Sequence, residues 1–221
     1  LVLVALLPTG AAAQVTFERL LNAEDEPHNW LTYSGTYSSN RHTKLDQIRK
    51  DNLDDLELSW VFQAGSLEAF QATPLVVDGI MYLTEPVNNV VAIDAKRGSV
   101  FWKYEYNVSS DARPCCGAVN RGLAILDDTL FLATLDGNLI GIDAIAGEPI
   151  WQTTVADPTQ GYALTLAPLV VKDKVIVGVA GGEYGIRGFI DAYDAATGEL
   201  AWRFHTIPGP GEPGHETWEN D

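Results

Sequence analysis

Ala92-Ile93-Asp94-Ala95-Lys96-Arg97-Gly98-Ser99-Val100-Phe101-Trp102 is a phrase that this chain spells three times. Its skeleton returns as Gly141-Ile142-Asp143, Gly147 and Trp151, and again as Ala192-Tyr193-Asp194, Gly198 and Trp202. Asp to Gly is four residues and Gly to Trp is four residues each time, and the phrase recurs about every 50 residues. A fixed period of that length marks a repeat architecture, in which one unit cannot bury its own apolar faces and neighbours must stack.

Short apolar, β-branched runs surround each copy. The first has Pro74 to Val77, a turn at Asp78-Gly79, Ile80 to Leu83, Asn89 to Asp94 and Val100 to Tyr104. Asp-Gly between apolar runs signals a tight hairpin turn. The second copy runs through Leu123–Leu126, Thr129–Thr134 and Asn138–Asp143, and the third through Ala167–Val171, Lys174–Gly178 and Gly188–Asp194. Four strands per repeat, radially arranged, predict an all-β chain with three to four blades of a β-propeller. The Asp is expected to accept backbone N–H groups as Asx turns do. The Gly supplies a positive φ, and the Trp packs between blades. A run at Leu58–Phe62 adds a strand of a fourth blade, and Leu45–Leu56 reads as room for a short helix. The other arrangement open to such strands is a β-sandwich with ordinary core tryptophans.

A propeller closes with roughly four to eight blades, so the chain reads as an incomplete, N-terminal part of a longer protein. Residues 1–13 read as the remnant of a secretory signal: apolar Leu1–Leu7, then Pro8 and small residues ending at Ala13. Residues 14–56 form a lead-in and 57–221 the repeats. The expected compartment is the periplasm. With 14 basic and 30 acidic residues the formal net charge is −16, which argues against nucleic acid as a partner because phosphates need cations.

The two cysteines, Cys115 and Cys116, are adjacent. Neighbouring Cα atoms stand ~3.8 Å apart across a trans peptide, closer than the ~4.4–6.8 Å of relaxed disulfides. Three states are open: a vicinal disulfide in a small strained ring, two buried thiols, or half of a metal site for which no further cysteine exists. A rigid, flat sulfur surface points to a site rather than a staple, because so small a loop adds little chain-entropy stabilisation.

The segment Asp111-Ala112-Arg113-Pro114-Cys115-Cys116-Gly117-Ala118-Val119-Asn120-Arg121-Gly122 resembles the vicinal-cysteine segment of pyrroloquinoline quinone (PQQ) alcohol and methanol dehydrogenases. Val179 to Gly188 resembles their cofactor and metal loop, and the repeated phrase resembles their tryptophan-docking motif. The resemblance spans about Asn29 to Asp221 and implies part of an eight-bladed propeller holding PQQ with Ca²⁺ or a lanthanide. It implies that Cys115 and Cys116 form the disulfide against one face of PQQ. It also implies that Arg121 and Thr165 contact the cofactor, that Ala180, Gly181 and Gly182 bring backbone close to it, and that Glu183 is a metal ligand. A guanidinium suits a polycarboxylate, and an oxygen ligand suits a hard cation. Gln71 falls where many alcohol-oxidising members carry Glu, and Ala180 where methanol-type members often carry Ser; both weaken methanol as the substrate.

On the same resemblance no catalytic residue lies within these 221 residues: the base aspartate is expected beyond Asp221. The implied function is periplasmic oxidation of an alcohol to an aldehyde, with electrons passing to cytochrome c or to a haem c in a further domain. The segment alone is expected to be inactive. A homodimer or a loose membrane association is compatible with the reading. The rivals are a non-enzymatic scaffold propeller of the outer-membrane assembly type and a membrane-anchored glucose-type quinoprotein. His28, His42, His205 and His215 show no zinc spacing.

Overall fold

The structure is a computed structural model that describes residues 14–218. The signal-like stretch, 1–13, and the last three residues lie outside the described residues. Among the described residues, twelve strands form three four-stranded antiparallel sheets, each with its strands in sequence order or its reverse. The first blade is β1 (Leu75–Val77), β2 (Ile80–Thr84), β3 (Val90–Asp94) and β4 (Val100–Tyr104). The second is β5 (Ala124–Leu126), β6 (Thr129–Ala133), β7 (Asn138–Asp143) and β8 (Pro149–Thr154). The third is β9 (Leu169–Val171), β10 (Lys174–Gly178), β11 (Phe189–Asp194) and β12 (Leu200–His205). The described residues thus form three consecutive blades of a partial β-propeller.

The β1–β2 hairpin turns on Asp78 (φ 49°) and Gly79 (φ 86°), both left-handed, the twist that suits a two-residue hairpin. Each blade carries one register shift in its outer strand pair, at Ala92/Ile93, Gly141/Ile142 and Ala192/Tyr193. These irregularities fall at the same point of the repeat, immediately before the Asp. That Asp then closes its turn: Asp94 Oδ1 accepts from the Lys96 and Arg97 amides, Asp143 Oδ1 from Ile145 and Ala146, and Asp194 Oδ1 from Ala196 and Thr197.

Blades dock through tryptophan. The indole N–H groups of Trp60, Trp102 and Trp151 donate to the carbonyls of Ala95, Ala144 and Ala195 at 3.1, 3.1 and 3.2 Å. Each ring lies over the glycine of the next repeat. A Cβ at Gly98, Gly147 or Gly198 would stand 2.6, 2.6 or 2.5 Å from that ring. The glycine is therefore required twice, for its φ of 72–75° and for the space the indole takes.

One expectation is corrected and another is met in its shortest form. Leu58–Phe62 forms no strand, because no strand among the described residues lies alongside to pair with it. Trp60 nevertheless docks on Gly98 as the outer-strand tryptophans do. Leu45–Leu56 holds only a 3₁₀ turn, Leu53–Asp55. Asn52 accepts from the Arg49 amide at 2.7 Å and donates to the Gln47 carbonyl at 2.7 Å, a local bonding pattern that competes with a helix.

The lead-in is ordered by contact with the blades. A helix, α1 (Phe17–Leu21), begins under a Thr16 cap, and Trp30 bridges Val76 through reciprocal backbone bonds of 2.8 and 3.0 Å. Tyr37 donates to the Val170 carbonyl, so the lead-in touches both β1 and β9. At the inner edge, the segments that precede β1, β5 and β9 lie side by side. The Thr73 amide donates to the Arg121 carbonyl at 3.0 Å, and the Arg121 amide to the Thr165 carbonyl at 3.1 Å.

Candidate functional site

Three sequence-distant segments meet at this inner edge. Arg121 sits on the first. Buried Asn120 fixes its backbone by donating to the Ala133 carbonyl and accepting from the Gly122 amide, both at 2.8 Å. Gly122 has φ 128°, and a Cβ there would stand 2.8 Å from the Thr73 carbonyl oxygen. The Arg121 side chain donates through Nη1 to the Thr165 carbonyl and hydroxyl at 3.1 and 2.8 Å. Among the described residues no carboxylate lies within 4.0 Å of this guanidinium, and its Nη2 and Nε have no protein acceptor. In a chain with 30 acids and 14 bases, a guanidinium with no carboxylate partner is chemically suited to an anion.

The second element is the cysteine pair. Cys115 and Cys116 are bonded to one another, with Cα atoms 3.8 Å apart, and both residues are exposed. The thiol and half-metal-site states are thereby ruled out. The segment is tied down on both sides. On one side the Ser109 amide donates to Asp136 at 3.0 Å. Asp136 is buried and also accepts from Tyr106 Oη at 3.0 Å and Thr134 Oγ1 at 2.6 Å. Burial first, then the Asp136 charge, pushes the Tyr106 hydroxyl up to about 12. On the other side the Val87 amide donates to the Ala118 carbonyl at 3.3 Å. Val87 is held at φ 68°, a conformation that costs a β-branched residue.

The third element is the loop after β10. Ala180 and Ala163 exchange backbone bonds of 2.8 and 3.0 Å. Gly181, at φ 131°, lies so close to Gly161 that a Cβ would overlap its carbonyl oxygen. A 3₁₀ turn, Gly182–Tyr184, then presents exposed Glu183. A Glu183 carboxylate oxygen and the two disulfide sulfurs lie within 4.8 Å of one another.

These elements enclose a cleft of about 180 Å³ bounded by Cys115, Cys116, Arg121, Thr165, Ala180 and Gly181. Glu183 stands beside it, and Gly182 starts the turn that carries Glu183. Gln71 is exposed and outside the lining, two residues before the Thr73 that bonds Arg121. Arg113 also lines the cleft, a residue the sequence did not single out. Neither did it reveal Asn120 as a clamp or Asp136 as an anchor, since Asp136-Gly137 reads as an ordinary turn. The cleft suits a flat polyanion, with sulfur surface to stack on, cationic donors without a protein partner and closely approaching backbone. PQQ has that character, and Glu183 adds one hard oxygen donor for a cation.

Comparison with known proteins agrees. Residues 30–221 match the family model described as "PQQ: Glucose/ethanol/alcohol dehydrogenase, beta-propeller domain". The quinohemoprotein alcohol dehydrogenase ADH IIB of Pseudomonas putida is 41% identical over 226 aligned positions, which cover 97% of this chain and 33% of that protein. The solved structure of quinohemoprotein alcohol dehydrogenase ADHIIG from Pseudomonas putida superposes with a TM-score of 0.84 at 42% identity, covering 87% of this chain and 28% of that one. A europium-containing methanol dehydrogenase gives 0.83 at 40% identity, covering 86% and 34%. The chain therefore spans about a third of the length of the curated relatives it matches.

Proposed function

The chain belongs to the PQQ-binding β-propeller family of glucose, ethanol and alcohol dehydrogenases, and on that premise we propose that it builds part of the cofactor site of a PQQ- and metal-dependent alcohol dehydrogenase. The substrate is an alcohol and the product the corresponding aldehyde. Electrons leave to a cytochrome c or to a haem c domain elsewhere in the protein. The compartment is the periplasm, a reading supported by the apolar Leu1–Leu7 run with the small residues after it and by a disulfide, which persists in oxidising compartments.

Each residue has a role in this reading. Cys115–Cys116 offers the flat surface on which the cofactor rests. Arg121, held by Thr165, would orient a carboxylate of the cofactor through its remaining donors and would favour negative charge on it. The backbone of Ala180, Gly181 and Gly182 lets the ligand approach without side-chain bulk, and Gln71 contributes a neutral hydrogen-bonding group from the neighbouring segment. Glu183 holds the metal ion, Ca²⁺ or a lanthanide. When bound, PQQ supplies a two-electron acceptor and the metal supplies Lewis-acid polarisation. The base that takes the alcohol proton belongs to the remainder of the protein, so this segment by itself does not turn over substrate.

The observation that carries the reading is an Arg121 guanidinium without an acidic partner, facing the same cleft as the vicinal disulfide and the Gly181 turn. A scaffold propeller needs the docking tryptophans and glycines but has no use for that constellation. The full-length protein loaded with PQQ and Ca²⁺ or a lanthanide should reduce an artificial dye when given a primary alcohol. Dye reduction that proceeds equally without PQQ, or none with any alcohol tried, would contradict the proposal.

A further inference from the structure

A polar knot outside the cleft holds the loop that carries Glu183. Arg187 lies four residues after Glu183 and is bonded to two other loops. Its Nε donates to the Ile207 carbonyl at 2.8 Å, its Nη2 pairs with Glu212 Oε2, and its own carbonyl accepts from the Tyr162 hydroxyl at 3.2 Å. Glu212 is fastened in turn. Its Oε2 accepts from the Gly209 amide at 2.8 Å, and its Oε1 stands 3.5 Å from His205 Nδ1. The Gly209 N–H and the Arg187 guanidinium hold the Glu212 carboxyl below the usual carboxylate range.

The knot reaches the site through packing. Ile186, next to Arg187, lies against the start of the turn: a Cβ on Gly181 would stand 3.3 Å from Ile186 Cδ1. Tyr184 packs on Gly161 so closely that a Cβ there would stand 2.5 Å from the Tyr184 Cβ. The Gly181–Gly185 turn is therefore pinned at its start by the Ala163–Ala180 bridge and at its end by Arg187. Two left-handed glycines, Gly181 and Gly185, lie between the pins and give the turn freedom if either is released. Glu183 itself is exposed, and this frame holds the backbone that carries it.

We propose that Arg187 and Glu212 are positioning residues that aim the Glu183 carboxylate for a hard cation. The inference rests on the assignment of Glu183 as a metal ligand, and its test separates the two. Tb³⁺ is titrated into the full-length, metal-free protein with PQQ present, and the tryptophan-sensitised emission of the ion reads affinity directly. Glu212→Gln keeps the shape of the side chain and removes its charge. It should weaken Tb³⁺ binding about 10-fold, the lower end of the range seen when groups supporting a metal ligand are changed. Its melting temperature without metal should stay within about 2 °C, as for a side chain that is not core. Glu212→Asp should restore part of the affinity, and Arg187→Lys should behave like Glu212→Gln, which tests the knot if one variant folds poorly. Wild-type affinity in both Glu212→Gln and Arg187→Lys, alongside lost affinity in Glu183→Ala, would overturn this inference and leave the metal site standing. Wild-type affinity in Glu183→Ala would overturn the metal site itself.

Discussion

Replacing Gly147 with Ala tests how blades are joined, and Gly79→Ala is its internal control. Both glycines are left-handed, at φ 75° and 86°. A Cβ at Gly79 meets nothing within 4 Å, whereas at Gly147 it would stand 2.6 Å from the Trp102 ring. The left-handed conformation costs an alanine about 1–2 kcal/mol at either site. At Gly147 the indole must also retreat from the Ala144 carbonyl it bonds at 3.1 Å. Losing that hydrogen bond costs about 1 kcal/mol. Re-exposing roughly half of a docked indole costs about 2–3 kcal/mol more. Gly147→Ala should therefore destabilise by about 4–6 kcal/mol and Gly79→Ala by about 1–2 kcal/mol. Urea unfolding of the full-length protein, followed by tryptophan fluorescence, reads both. Equal losses would refute the reasoning, because the two sites would then differ in nothing but position.

Acid should loosen the lead-in first. The Arg19 guanidinium lies 2.7 Å from Glu26 and 2.6 Å from Asp78 and holds both carboxyls below their ordinary values. Groups with depressed folded pKa values stabilise fully above about pH 5 and lose that contribution as pH falls through the folded values. The urea midpoint should decline below about pH 5 in the wild type and decline less steeply in Arg19→Ala; parallel acid limbs would contradict it. At the site, Glu183→Ala in the full-length enzyme should abolish the dependence of dye reduction on added metal, and an unchanged metal requirement would count against its role as a ligand.

What was legible in the sequence was whatever repeats. The Asp–Gly–Trp spacing gave the blades, their turns and their docking surfaces, because each docking tryptophan meets the glycine one repeat on. Trp60 escaped that reading because no Asp–Gly pair precedes it at the repeat spacing, yet it docks on Gly98 like the rest. Its segment, Leu58–Phe62, has the apolar character of a strand, but only a neighbouring strand completes one. Cys115 and Cys116 stand out by their adjacency alone, Arg121, Thr165, Ala180 and Gly181 only through family resemblance, and the structure gathers all six at one cleft. The groups that hold them were not legible. Asn120, Asp136, Arg187 and Glu212 act between loops far apart in the chain, and such bonds leave no local pattern. Glu212 lies in a Pro/Gly-rich stretch that reads as bare loop until Arg187 is seen against it.

The most direct measurement is a titration of PQQ into the full-length protein with metal present, followed by the cofactor's absorbance, for wild type and Arg121→Ala. Saturable binding is expected, weakened about 10- to 150-fold in the variant, the loss of one charge-assisted contact worth roughly 1.5–3 kcal/mol. Equal affinity in both proteins, or no saturable binding in either, would contradict the assignment of this cleft.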